Sequence, residues 1–413
     1  MQHQKSKLRS ILFNIPVLVA ALGYFVDIYD LQLFNIIGKE SLEKGLGLSP
    51  EDVIRYDYIL FLWQMGGMLL GGVVFGILGD KIGRKSILFS SILIYSLANI
   101  ANAYVTDIHQ YQFVRLIAGF GLSGELGAAI TLISEIIDKE NRGWGTMIVV
   151  SAGALGAVAG NLVAKQWDWQ ISYIVGGVLG LVLLVFRIGT FESGLFEKLR
   201  DEKYIKKGNF LMLFQKRAIF FKYLACILIG LPVWFVIGIL VKFSAKFAAT
   251  MQVADPISTG DAIMYSYIGL SIGDFISGWL SQVWRSRRKV IFTYLFLTFI
   301  LMLIYLNVRG ISSQQFYFLS FMLGIATGFW ALFVSVASEQ FGTNIRATVT
   351  TTVPNFVRGA VIPITLSFNY LMGQYNISFA SWVVGLTCLL LSALSTWYLK
   401  ESFAKDLNYY ETT

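Results

Sequence analysis

Residues 219–241 read IFFKYLACILIGLPVWFVIGILV, with one charge, Lys222, in the whole run. A hydrocarbon core ~30 Å thick is crossed by a helix of about 20 mostly apolar residues, so this stretch is long enough to span a bilayer. Outward from it, apolar runs between charged or turn-rich breaks predict further spans at 11–37, 55–78, 86–106, 110–135, 144–164, 170–190, 262–284, 290–308, 314–337, 347–372 and 378–399. The 413 residues are 56% hydrophobic and only 14% charged, against roughly 45–50% and about 25% in soluble domains. A water-soluble core cannot hide that much apolar surface. The expected fold class is therefore an all-α membrane protein, with twelve transmembrane helices in two pseudo-symmetric six-helix bundles.

An even number of spans puts both termini on one side, and the basic residues choose the side. With the N-terminus cytoplasmic, inside segments hold 24 lysines and arginines and outside segments seven, while Arg115 and Arg358 fall within spans. The positive-inside rule then places both termini in the cytoplasm and accounts for the net charge of +8 without nucleic acid. The first span carries two aspartates and runs straight into further spans, so it reads as uncleaved rather than as a signal peptide. Cys226 and Cys388 lie inside apolar segments and His3 and His109 are the only histidines. Neither a disulfide framework, nor a metal site, nor a catalytic triad is expected, and no cofactor beyond a proton gradient as energy source.

Ser134-Glu135 with Arg142 after the fourth span recurs as Ser338-Glu339 with Arg346 after the tenth, the mark of an internal duplication. A fainter echo links Phe75-Gly76-Ile77-Leu78 with Ser277-Gly278-Trp279-Leu280. The expected organisation is an N-terminal bundle over 1–192, a cytoplasmic linker over 193–218 and a C-terminal bundle over 219–413. The linker is rich in alternating charge and suits a solvated or surface-lying connector.

Gly76-x-x-x-Asp80-Lys81-x-Gly83-Arg84-Lys85 joins the second and third spans, and in spacing and position it resembles the loop signature of the major facilitator superfamily. Arg115-x-x-x-Gly119-x-Gly121 resembles that superfamily's fourth-helix motif, where the resemblance implies an arginine linked to proton coupling. Gly121 to Leu126, Glu192-Ser193 and the ending Lys400-Glu401-Ser402 look like the metabolite:proton symporter and sugar-porter branches. Departures narrow this. The fifth span lacks the Gly-Pro pair of drug:proton antiporters and the glutamine with which sugar porters bind hexose. In the second half Gln282 stands where the first half has Asp80.

Ionisable groups inside spans cost several kcal/mol unless paired or hydrated, which singles out Asp27, Asp30, Arg115, Glu125, Asp274 and Arg358. Counting ~1.5 Å per residue puts Asp27 and Arg115 at nearly the same depth, so a carboxylate–guanidinium pair is expected there, with coupling and static readings both open. Asp30 shares a face with Asp27, and Glu125 reads as a second proton site, a gate residue or a hydrogen-bonded structural acid. Proton coupling is thus assigned to Asp27, Asp30, Arg115 and Glu125. Arg358, bracketed by Pro354 and Pro363, reads as an anion-binding group, with an Asp274 pair as the alternative. The expected substrate-binding set is Arg358, Arg115, Tyr24, Gln64, Asn161, Trp330 and Asn355. The expected gate set is Asp80, Gly83, Arg84, Glu135, Arg142, Glu339 and Arg346.

These readings converge on a monomeric, proton-coupled secondary transporter of the bacterial inner membrane. Its expected partners are the lipid bilayer and a small anionic solute, an organic acid or a carboxylate-type siderophore, with import favoured. An antiport exporter and a non-transporting sensor are the rivals. No nucleophile–base pair suggests an enzyme.

Overall fold

The computed structural model describes residues 14–138, 140–187 and 208–411. The helices, in chain order, are α1 (Ile15–Glu40, continued by a π-helical turn Ser41–Gly45), α2 (Pro50–Ile82), α3 (Arg84–Asn102), α4 (Ile108–Ile136), α5 (Arg142–Gln166) and α6 (Trp169–Phe186). The second half follows as α7 (Arg217–Val241), α8 (Thr259–Trp284), α9 (Arg287–Asn307), α10 (Ser313–Gln340), α11 (Arg346–Gly359, resuming as Val361–Gln374) and α12 (Ile377–Tyr398). Among the described residues nine helices are long and apolar enough to cross a membrane. α3, α8 and α11 occupy the three remaining places, consistent with the twelve expected. Most of the linker expected over 193–218 lies outside the described residues.

Helices begin slightly before the apolar runs because polar caps precede them. Ser49 accepts from Asp52 N, Asp107 accepts from the His109 and Gln110 amides, and Ser312 with Gln315 forms a capping box. α1 departs the other way: it begins at Ile15, four residues later than the sequence suggested.

The duplication is visible in how helix pairs touch. A Cβ on Gly67 of α2 would strike the Leu116 carbonyl of α4, and one on Gly119 would strike the Gln64 carbonyl. In the second half, Gly269 of α8 and Gly324 of α10 meet the Phe321 and Ser266 carbonyls in the same way. Small residues let membrane helices approach to backbone contact, where dispersion rather than the hydrophobic effect holds them. The turns after α2 and α8 repeat too, with positive φ at Gly83 (103°) and Arg285 (51°).

The halves meet mainly along α2 with α11 and α5 with α8. Several helices are broken in mid-span: α4 at Ser123, α10 at Gly328 and α11 at Ala360, while α7 passes into a π-helical stretch at Val236–Val241. Such irregular backbone is tolerated at membrane depth only where protein or a wet cavity satisfies it. Asp274 does this for α10, its Oδ1 accepting from Ala331 N at 2.9 Å.

Candidate functional site

Two closures bound the molecule. At the end rich in basic residues, Asp80 at the end of α2 faces the first turn of α11. It accepts from Ala347 N (3.1 Å), Thr348 N (2.8 Å) and Thr348 Oγ1 (2.7 Å), so an anion from one half caps the positive helix terminus of the other. Glu135 joins the halves as well, pairing with Arg84 at 2.9 Å and Arg346 at 3.1 Å. Its repeat partner Glu339 is held by Arg287 at 3.0 Å and by Ser402 Oγ at 2.7 Å. Arg142, by contrast, donates to the Lys405 carbonyl at 3.3 Å.

The chain after α12 completes this closure. Leu407 O accepts from Arg346 (2.6 Å) and Thr343 Oγ1 (3.0 Å), and Glu411 pairs with Lys222 at 2.8 Å. Glu401 accepts from the amides of Arg287 and Arg288, capping α9. Burial opposes ionisation of Glu401, but Ser286 and the Arg287, Phe403 and Arg288 amides outweigh it and hold the carboxyl below its usual range. Asp80, Gly83, Arg84, Glu135, Glu339, Arg346 and Arg142 all lie at this end. Arg287, Ser402 and the tail carbonyls complete a set that spacing could not show, because their partners are backbone atoms or far in sequence.

At the opposite end, Lys242 donates to Asp57 (3.1 Å) and Asn35 (3.0 Å) across the halves, and Gln32 donates to Tyr267 at 2.8 Å. Asn161 donates to Asp261 at 2.8 Å, beside the Lys165–Asp261 ion pair. Asn161, expected to bind substrate, therefore belongs to this closure.

Between the closures lies a cavity of about 20 Å³ walled by Tyr24, Val233, Trp234, Tyr267, Trp330 and Arg358, room for about one water. Both ends are shut around a collapsed centre, an occluded arrangement. Arg358 Nη2 stands 3.8 Å from Asp27 Oδ2, and its guanidinium lies over the Trp330 ring at 5.9 Å. Neither oxygen of Asp27 accepts a hydrogen bond from a described residue. Asn355 fixes the surroundings, donating to Ser123 O at the α4 break (2.8 Å) and accepting from Arg358 at 3.4 Å.

The expected Asp27–Arg115 pair is not made. With α1 starting at Ile15, Asp27 is 12 residues in, as is Arg358 from the start of α11 at Arg346, so both sit about 18 Å from the basic end. Asp30, one turn further, accepts no hydrogen bond from a described residue at either carboxylate oxygen. Arg115 itself donates to Gln64 and lies over the Phe34 ring at 4.7 Å, so neither it nor Gln64 lines the cavity. The alternative Arg358–Asp274 pair is absent too, Asp274 being engaged with α10.

Glu125 is gripped by both terminal nitrogens of Arg187, a bidentate pair. In the sequence Arg187 falls near the end of the sixth expected span and was counted only among the basic residues of the cytoplasmic side. Its side chain instead turns inward and is 1% exposed. This geometry favours the structural-acid alternative for Glu125 over the proton-site one.

Paired closures at either end of a two-fold repeated bundle, with ionisable groups and aromatic rings about its centre, define a membrane transport protein of the alternating-access class. Comparison with known proteins agrees: the profile of the Major Facilitator Superfamily matches residues 20–254, and the chain belongs to that superfamily. A Bacillus subtilis protein named for niacin and nicotinamide transport is 25% identical over 361 residues, covering 82% of this chain and 84% of the relative. The 3-(3-hydroxy-phenyl)propionate transporter of Escherichia coli is 35% identical over a shorter match, 35% of this chain and 40% of its own. The proton:xylose symporter XylE superposes with a TM-score of 0.76 over 97% of this chain and 98% of its own at 17% identity, a likeness of fold.

Proposed function

We propose that the protein is a proton-coupled importer of small aromatic or heteroaromatic monocarboxylates in a bacterial inner membrane, with both termini in the cytoplasm. The observation that carries this reading is the pairing of Asp27 with Arg358, the arginine that stands in the wall of the central cavity. An arginine in low dielectric needs a counter-anion, and removing one from a buried pair costs about 3–5 kcal/mol. A carboxylate solute can take Arg358 only if Asp27 gives it up, and Asp27 can do so by taking a proton. Proton and anion then enter together, leaving the charge of the cavity unchanged. The 3.8 Å separation without a hydrogen bond from Asp27 suits a partner that must be exchangeable.

Tyr24, Trp234, Tyr267 and Trp330 around the arginine supply apolar faces for one flat ring. A bulky ferric chelate suits them less well. Relatives named for transport of niacin, 3-(3-hydroxy-phenyl)propionate and 4-hydroxybenzoate support this choice, since each of those solutes is a single-ring acid. The basic end, with 24 of the lysines and arginines on its side in the sequence, supports the cytoplasmic orientation.

Proteoliposomes given labelled nicotinate and 4-hydroxybenzoate under an outside-acid gradient test the reading. Accumulation of at least one acid, abolished by Arg358→Ala, is expected. Binding without counterflow would point to a sensor, and accumulation only under the reversed gradient would point to export.

A further inference from the structure

Beyond the central cavity, a second and larger one of about 390 Å³ opens at the Lys242–Asp57 end, within the roughly 300–1,000 Å³ typical of small-molecule sites. Its charged wall is unbalanced: Lys39, Lys242 and Lys246 face it with a single carboxylate, Asp57. Among the described residues neither Lys39 nor Lys246 has a carboxylate within ion-pair distance, whereas Lys242 has only Asp57. The Lys242 side chain is 8% exposed and lies over the Phe61 ring at 5.0 Å and the Phe34 ring at 5.9 Å. Phe34 carries Arg115 on it as well, at 4.7 Å.

α7 contributes to the walls of both cavities. Ile237 lines the central one, Lys242 lines the larger one, and the π-helical stretch Val236–Val241 joins them. π-Helical turns within α-helices occur often at functional sites. Drawing Lys242 away from Asp57 would therefore break one of the contacts that join the halves at this end, beside Gln32–Tyr267 and Asn161–Asp261, on the helix that also walls the central cavity.

We propose that this vestibule is a second binding site for small organic carboxylates. There the carboxylate of the solute replaces Asp57 on the Lys242 ammonium, and arrival of cargo thereby removes one of the contacts that hold this end shut. The inference rests on the anionic cargo proposed above, and its test separates the two.

Ile257, which lines the vestibule, is changed to cysteine on a Cys226→Ala, Cys388→Ala background. The purified protein is then treated with a sulfonate-bearing and a trimethylammonium-bearing methanethiosulfonate, with rates normalised to a free thiol. A positively charged cleft raises local anion concentration by roughly 10-fold or more, so the anionic reagent should react about tenfold faster than the cationic one. Lys242→Met should lower that ratio and Asp57→Asn, which frees the ammonium, should raise it. Millimolar nicotinate should slow labelling, and should still do so in Arg358→Ala, where the central site is disabled.

Equal normalised rates would overturn the proposal, as would no protection by nicotinate, or protection that disappears with Arg358→Ala. Anion preference and protection without nicotinate uptake into proteoliposomes would keep the vestibule and sink the import reading. Uptake without anion preference would do the reverse.

Discussion

Asp80→Asn should open the basic end without unfolding the protein. The Asp80 carboxylate accepts three hydrogen bonds from the start of α11 and lies 3.5 Å from Arg84. Hydrogen bonds to a charged group contribute about 1.5–3 kcal/mol each. Asparagine keeps one acceptor oxygen and loses the charge that complements the helix terminus, worth up to about 2 kcal/mol when buried. A net loss of about 2–3 kcal/mol from the closed arrangement alone shifts its balance with the open one by roughly 30- to 150-fold. Spin labels at Ile82→Cys and Lys289→Cys, on the two halves at this end, would report the change as growth of a longer-distance population. Thr348→Val, which removes one of the three bonds, should move the same population less. An unchanged distance distribution in Asp80→Asn would refute the idea that this carboxylate holds the end shut.

Asp27→Asn should abolish accumulation driven by a pH gradient while leaving exchange of labelled for unlabelled solute measurable; pH-driven accumulation at the wild-type level would remove Asp27 from coupling. Arg187→Met leaves Glu125 buried without its partner, a loss of about 3–5 kcal/mol, and should lower the thermal unfolding midpoint. Adding Glu125→Gln should recover much of it, whereas no recovery would mean that the arginine acts through other contacts. The Glu401 carboxyl lies below its ordinary 4.5, so its cap on α9 contributes stability above pH 4.5 and loses it as pH falls through the lower folded value. Hydrogen exchange at residues 401–407 should therefore be equally slow at pH 7 and pH 5 after correction for intrinsic rate, and faster in Glu401→Gln; release already at pH 5 would contradict the cap.

Much of this was legible in the residues. The spans and both halves of the gate repeat were readable because hydrophobic runs and the Glu135/Arg142 and Glu339/Arg346 spacings are local patterns. The list of buried charges was legible for the same reason, since an ion in an apolar run stands out. Which ion meets which was not. A four-residue error in where α1 starts misjudged the depth of Asp27, which meets Arg358 rather than Arg115. Arg187 was missed because a basic residue closing a span ordinarily reaches for the headgroups, and only the fold shows it turning back to Glu125. Asn161 looked like a cavity residue because nothing near it in sequence reveals Asp261, a hundred positions away.

Sequence alone determined that this chain is an all-helical, multi-span membrane protein, because hydrocarbon rejects charge and exposed backbone and so writes its demand into stretches of about twenty residues. Tertiary structure alone decided that Arg358 faces Asp27, that the tail after α12 straps the Arg346 end, and that Lys242 stands in a wide cleft at the other. Those pairings depend on the rotation and depth of helices from different halves, and side-chain contacts of a few ångströms are set by packing that no local pattern encodes.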